Sequence, residues 1–172
     1  TRDTPRLLTV ANLQPGKGLR TLVEALGTLP DMPWTWTQVG DDTLDPGFAE
    51  ILHEQIRNSS VAERVTMLGS VSPTDLRAQY DRADVFVLSS RFETCSMATR
   101  EAMARGLPVV ATDVGGLPDN FGDTAEPGDT SSTAPAGHLV PPDRPDALAD
   151  ALRFLLADPA ARTEMGEAAR ER

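Results

Sequence analysis

Three charged residues could do chemistry together. Glu93 and Glu101 stand eight residues apart within DVFVLSSRFETCSMATREAMARGLPVVATDVGGLP, Asp84 to Pro118. The third is Lys17: of 16 basic residues it is the one lysine, set in the turn Pro15-Gly16-Lys17-Gly18. The spacing puts Glu93 in the turn after an apolar run and Glu101 about two turns into a helix. Nothing marks them as the paired acid and base of a glycosidase. They suit hydroxyl acceptors at different parts of one ligand. Backbone N–H groups near Cys95, Ser96 and Met97 open the same helix and favour an anion. A lysine beside them suits a phosphate.

The elements that must position these groups can be read on both sides. Val85 to Leu88 is a short apolar run, as expected of a strand covered on both faces. Met97 to Arg105 favours a helix that Gly106 stops, and Pro108 leads into a strand at Val109–Ala111. Upstream, strand one is Leu7–Ala11. A helix over Leu19–Leu29 follows, with Leu19, Leu22, Val23 and Leu26 on one face. Strand two is Trp34–Val39, and Phe48, Ile51, Leu52 and Ile56 mark the next helix. Strand three is Val65–Leu68, then Ser72-Pro73 starts a helix through Arg82. Gly137–Val140 is a sixth strand, a helix opens at Pro145, and Asp158-Pro159 separates it from a last Ala-rich helix.

Strands alternate with helices throughout. The fold class is therefore α/β, a Rossmann-like, doubly wound parallel sheet of six strands with helices on both faces. The order 3-2-1-4-5-6 puts the switch point between strands one and four, where such sheets bind ligands at their carboxyl ends. Lys17 and the Glu93–Glu101 turn then share one crevice. The polar segment 122–136 is expected to be a surface loop without chemistry. Strand one lacks a following G-x-G-x-x-G, which argues against a dehydrogenase.

The 172 residues suit a single domain. A net charge of −10 argues against nucleic acid as a partner. The one cysteine, Cys95, excludes an internal disulfide and leaves the compartment open, with a reducing one favoured; it is expected to be a small packing residue. No apolar run is long enough to span a membrane. The absence of an initiator Met suggests a processed product or a piece of a longer protein. His53 and His138 are isolated, so no metal site is expected. Trp34 and Trp36 share a strand face and are read as packing, not as a sugar platform. Arg91 and Arg100 are candidates either to pair with the two glutamates or to contact phosphate.

Three stretches together resemble the C-terminal, donor-binding domain of retaining glycosyltransferases of the GT-B fold, closest to the family-four group. They are VANLQPGKG, the Glu93-x7-Glu101 segment running into AMARGLPVVATDVGGLP, and GHLVPPDRPDALADAL. The likeness runs from about Leu7 to Arg170. It implies that Lys17 binds the donor diphosphate and that Glu93 binds the donor sugar's hydroxyls, these two being the catalytic residues. It implies that Glu101 holds the ribose, that N–H groups at Ser96 and Met97 cradle the pyrophosphate, and that backbone near Val71 faces the base. Gly115 and Gly116 would edge the sugar pocket. The donor implied is a UDP-sugar or GDP-mannose, with hexosyl transfer in retention, as in many bacterial members. No cofactor or metal is implied. The acceptor would sit mainly on a missing N-terminal domain, and 1–172 would be inactive alone. The location implied is cytoplasmic, with peripheral attachment at the inner membrane face through that domain. The chain departs from the family pattern at Asn12, where Arg is common, at Ser96, where Gly is common, and at Asp119 for Glu. Two other readings remain: a donor-binding or interaction module without catalysis, and an epimerase-like enzyme of the same architecture.

Overall fold

The computed structural model describes residues 4–121 and 136–172. Most of the segment 122–136 therefore lies outside the described residues. Six strands, β1 (Arg6–Val10), β2 (Thr35–Val39), β3 (Val65–Met67), β4 (Val85–Leu88), β5 (Val109–Thr112) and β6 (Gly137–Val140), form one sheet in the order β3-β2-β1-β4-β5-β6. Every pairing is parallel, with Leu7 opposite both Trp36 and Val85. This is the doubly wound order expected from the sequence.

The strand period of two sorts the core into two layers. Leu7, Trp36, Val85, Val87 and Val110 face one way; Leu8, Phe86, Leu88, Val109 and Ala111 face the other. The first face is covered by α1 (Leu19–Gly27), α2 (Pro46–Arg57) and α6 (Pro145–Ala157). α1 buries Leu19, Leu22, Val23 and Leu26 there, each worth about 1.5–3 kcal/mol relative to exposure. The second face takes α3 (Pro73–Arg82), α4 (Met97–Ala104) and α5 (Leu117–Phe121) through Tyr80, Ala102, Met103, Leu117 and Phe121. α7 (Pro159–Arg170) reaches both layers, with Met165 in the first and Ala169 in the second.

The tryptophans are packing residues. Trp34 and Trp36 are fully buried, and each indole N–H is satisfied: Trp34 donates to the Leu29 carbonyl at 2.9 Å and Trp36 to Thr9 Oγ1 at 3.0 Å. Cys95 differs from expectation, for its side chain is exposed. It lies in the turn before α4, outside both layers, so it packs against no core.

Candidate functional site

The site is built from two turns at the carboxyl ends of adjacent strands. After β1, Pro15–Lys17 forms a single 3-10 turn that ends on Gly18 in the left-handed region, φ 61°. A Cβ at Gly18 would lie 1.8 Å from the Ser89 carbonyl oxygen, so this approach requires glycine. The turn after β4 is stitched to it. Ser89 Oγ lies within hydrogen-bond distance of the carbonyls of Lys17 (3.2 Å) and Gly18 (3.0 Å), and the Arg91 N–H donates to the Gly16 carbonyl at 2.8 Å.

That stitching delivers Lys17 to Glu93. The ammonium donates to Glu93 Oε2 at 2.9 Å, with the two side chains 27% and 13% exposed. Ser90 Oγ adds a longer contact of 3.4 Å to the same oxygen. Glu93's backbone is held from behind, where the Gly116 N–H donates to its carbonyl at 2.9 Å. Gly115 and Gly116 pack so closely that a Cβ would fall 1.9 Å from the Glu93 carbonyl oxygen and 2.1 Å from that of Thr94. The glycine pair is thus the backing of the Glu93 loop.

α4 opens beside this pair. Ser96 is its N-cap, with Oγ accepting from the Thr99 N–H at 3.1 Å, and the Arg100 N–H bonds the Ser96 carbonyl. Met97 and Ala98 stand in the first turn of α4, where backbone N–H groups have no acceptor within the helix. Further along α4, Glu101 is half exposed and its Oε1 accepts from Arg105 Nε at 2.6 Å. It lines an open groove of about 600 Å³ between α3 and α4, with Val10, Pro73, Leu76, Tyr80 and Met97 as its apolar part. Val71 is half-buried just before α3, packed on the second core layer.

Other partnerships differ from the two glutamate pairings considered for Arg91 and Arg100. Arg91 Nε pairs with Asp143 at 2.7 Å, and Arg100 Nε donates to Asn120 Oδ1 at 3.0 Å. Asn12, where a second cation is common, uses its Oδ1 to accept from the Asp41 N–H at 3.0 Å. Asp119 is exposed. Sequence reasoning missed three groups around Glu101. Arg105 also ion-pairs with Asp81 of α3, and its guanidinium lies 5.6 Å from the centroid of the Tyr80 ring. The hydrogen bond to Glu101 raises the pKa of Arg105. Burial, with the Glu101 charge second, raises that of Tyr80, so its phenol stays protonated and donates to the Ala98 carbonyl at 3.1 Å. The i,i+4 spacing of Glu101 and Arg105 was the available signal. Among the described residues, no group of three or more His, Cys, Asp or Glu is placed to hold a metal ion, and no helix is long and apolar enough to cross a membrane.

Known proteins are similar to this chain in sequence and in fold. The D-inositol 3-phosphate glycosyltransferase of Kineococcus radiotolerans is 34% identical over 180 residues, which cover 99% of this chain and 40% of that protein. The glycogen synthase of Mycobacterium tuberculosis is 33% identical over 96% of this chain and 37% of its own length. The chain therefore spans about two-fifths of the curated relatives it matches. Among solved structures, the sucrose-phosphate synthase of Thermosynechococcus elongatus superposes with TM-score 0.84 at 32% identity, over 98% of this chain and 40% of that one. Anabaena HepE in complex with UDP-glucose shares the fold with TM-score 0.84 at 24% identity, over 98% of this chain and 43% of that one. So does the C-terminal domain of a Francisella tularensis group 1 glycosyl transferase, with TM-score 0.81 at 21% identity, over 98% of this chain and 85% of that one. The family model described as glycosyl transferases group 1 matches residues 2–172, and the chain belongs to that family.

Proposed function

We propose that this chain is the donor-binding half of a retaining glycosyltransferase that moves a hexosyl group from a nucleoside-diphosphate sugar. One observation carries the reading. Lys17 and Glu93, brought from turns 76 residues apart, meet at 2.9 Å beside the N-terminus of α4. In glycosyl transfer the leaving diphosphate gains charge as the sugar carbon becomes oxocarbenium-like. A fixed ammonium and free helix N–H groups stabilise that charge most strongly as it grows. Lys17 and the N–H groups at the Ser96–Met97 turn fill this role. Glu93 accepts from the donor sugar's hydroxyls, Glu101 from the ribose diol, and backbone near Val71 meets the base. HepE, of the same fold, was crystallised with UDP-glucose.

The phosphates need no divalent metal, since a lysine and a helix terminus supply the positive charge. The acceptor binds mainly on a further domain, so these 172 residues turn over no donor alone. The complete protein works in the cytoplasm, with peripheral attachment through that domain.

The lone lysine makes the test simple. Bound nucleotide-sugar shields the Lys17 amine from an amine-reactive reagent, and a charge-assisted contact keeps it protonated. The terminal amine of Thr1 is the internal reference. Mass spectrometry should show Lys17 protected and Thr1 unchanged, with the effective donor chosen by a calorimetric panel of nucleotide-sugars. Equal labelling of both amines at saturating donor removes Lys17 from the site.

A further inference from the structure

The Glu101–Arg105 pair has features that an ordinary helix-surface pair lacks. Exposed i,i+4 pairs contribute little, because two long side chains must be ordered in water. Here the cation is already ordered by other groups. Arg105 takes a second carboxylate, Asp81, from α3, and its guanidinium rests over the Tyr80 ring. Tyr80 is itself buried, bonded through its hydroxyl to the Ala98 carbonyl and stacked on Phe86 at 5.9 Å. The result is an anchored guanidinium, 24% exposed, beside a carboxylate that is 50% exposed. Arg105 holds Oε1 of Glu101, while Oε2 has no protein donor among the described residues.

We propose that Arg105 is a positioning residue: it fixes the Glu101 carboxylate in the orientation that accepts a ribose diol, and it acts through Glu101 rather than on the nucleotide. The inference rests on the donor reading above and assigns a role to a residue outside it. Arg105 does three things at once. It pairs with both the Asp81 and the Glu101 carboxylates and so offsets the two charges it bridges. It ties α3 to α4, the two walls. It also removes the rotamer freedom that Glu101 would otherwise lose on binding, which is preorganisation of the receiving group.

Binding of UDP and GDP, and of their 2′,3′-dideoxy counterparts, to the 172-residue chain can be measured by calorimetry for wild type, Arg105→Ala, Glu101→Gln and the double variant. Arg105→Ala should weaken the better-bound ribonucleotide roughly 3–10-fold, the scale of immobilising one rotamer-rich side chain, and leave the dideoxy form unchanged. In the Glu101→Gln background it should cost nothing further. Asp81→Asn, which loosens the anchor without touching the groove-facing carboxylate, should give a smaller loss confined to the ribonucleotide and guards against misfolding of the alanine variant. A loss of equal size for both nucleotide forms, or one that persists without Glu101, overturns the positioning role and leaves the donor reading standing. Wild-type binding without preference for ribose overturns both the ribose placement and this inference. If wild type binds neither nucleotide, the donor reading falls and the inference falls with it.

Discussion

Two glycines, two residues apart, should respond oppositely to the same substitution. Gly18 is buried at φ 61°, and an added Cβ would sit 1.8 Å from the Ser89 carbonyl oxygen. Gly16 is exposed, and a Cβ there meets nothing within 4 Å. For Gly18→Ala the left-handed backbone alone costs about 1–2 kcal/mol. Relieving the clash also separates the two turns and loosens the Ser89 Oγ contacts to Lys17 and Gly18. The net worth of such a bond is about 0.5–1.5 kcal/mol. Together these give a loss of about 3 kcal/mol. Urea unfolding reads it directly: with a slope of ~2 kcal/mol/M the midpoint should fall by ~1.5 M. Gly16→Ala should move it by less than ~0.3 M, or raise it slightly by restricting the unfolded chain. Because the same turn carries Lys17, Gly18→Ala should also weaken nucleotide-sugar binding. Midpoints for the two variants within ~0.3 M of each other would falsify the account of the stitched turns.

Three further outcomes are expected. Ser96→Ala should cost about 0.5–2 kcal/mol in unfolding free energy and Ser96→Gly only a few tenths, since the hydroxyl caps Thr99 N–H; equal losses would show that the cap contributes nothing special. Burial lowers the pKa of His138 from its ordinary 6.5, so the unfolded chain takes up the proton first and stability is lost as pH falls below about 6.5. His138→Phe, next to the edge-on Phe154 ring, should flatten the fall in urea midpoint as pH drops below about 6.5, and an unchanged slope refutes the assignment. Nucleotide-sugar affinity should survive a chelator unaltered; loss on chelation and recovery with manganese would overturn the metal-free reading.

The scaffold was legible in the sequence because its signals are local. Val85–Leu88 announces a covered strand, Leu19 to Leu26 a one-sided helix, and the alternation of such elements points to a parallel sheet and suggests its order. That Lys17 and the Glu93 loop share one crevice also followed, since the switch point places both turns at one edge, but their ion pair did not. What escaped were partnerships made across space. Nothing in the spacing of Arg91 points to Asp143, and nothing in that of Arg105 points to Asp81, because each pair joins elements that the fold alone brings together. The five-residue α5 escaped for a different reason: one turn is too short to show a helical period. Cys95 was placed by residue preference, which a turn outside the core overrides.

The adjacency of β1 and β4 has a consequence for how the chain can change length. Everything from Thr35 to Met67 hangs outboard of β1 as a wing, with β3 as its free edge. The separation of Lys17 from Glu93 is held by one parallel strand pair and by bonds between its two turns, and the wing reaches the loop after β1 from the end of β2, through Gln38, Val39 and Asp41, not from Asn58–Ser60. Extra residues at Asn58–Ser60, between α2 and β3, would enlarge the rim and leave the spacing of the charged pair intact. Single deletions at Pro15–Gly18, by contrast, would move the ammonium by a whole residue. Descendants of such a gene are thus free to drift in size along one flank while the opposite margin of the crevice stays invariant in length.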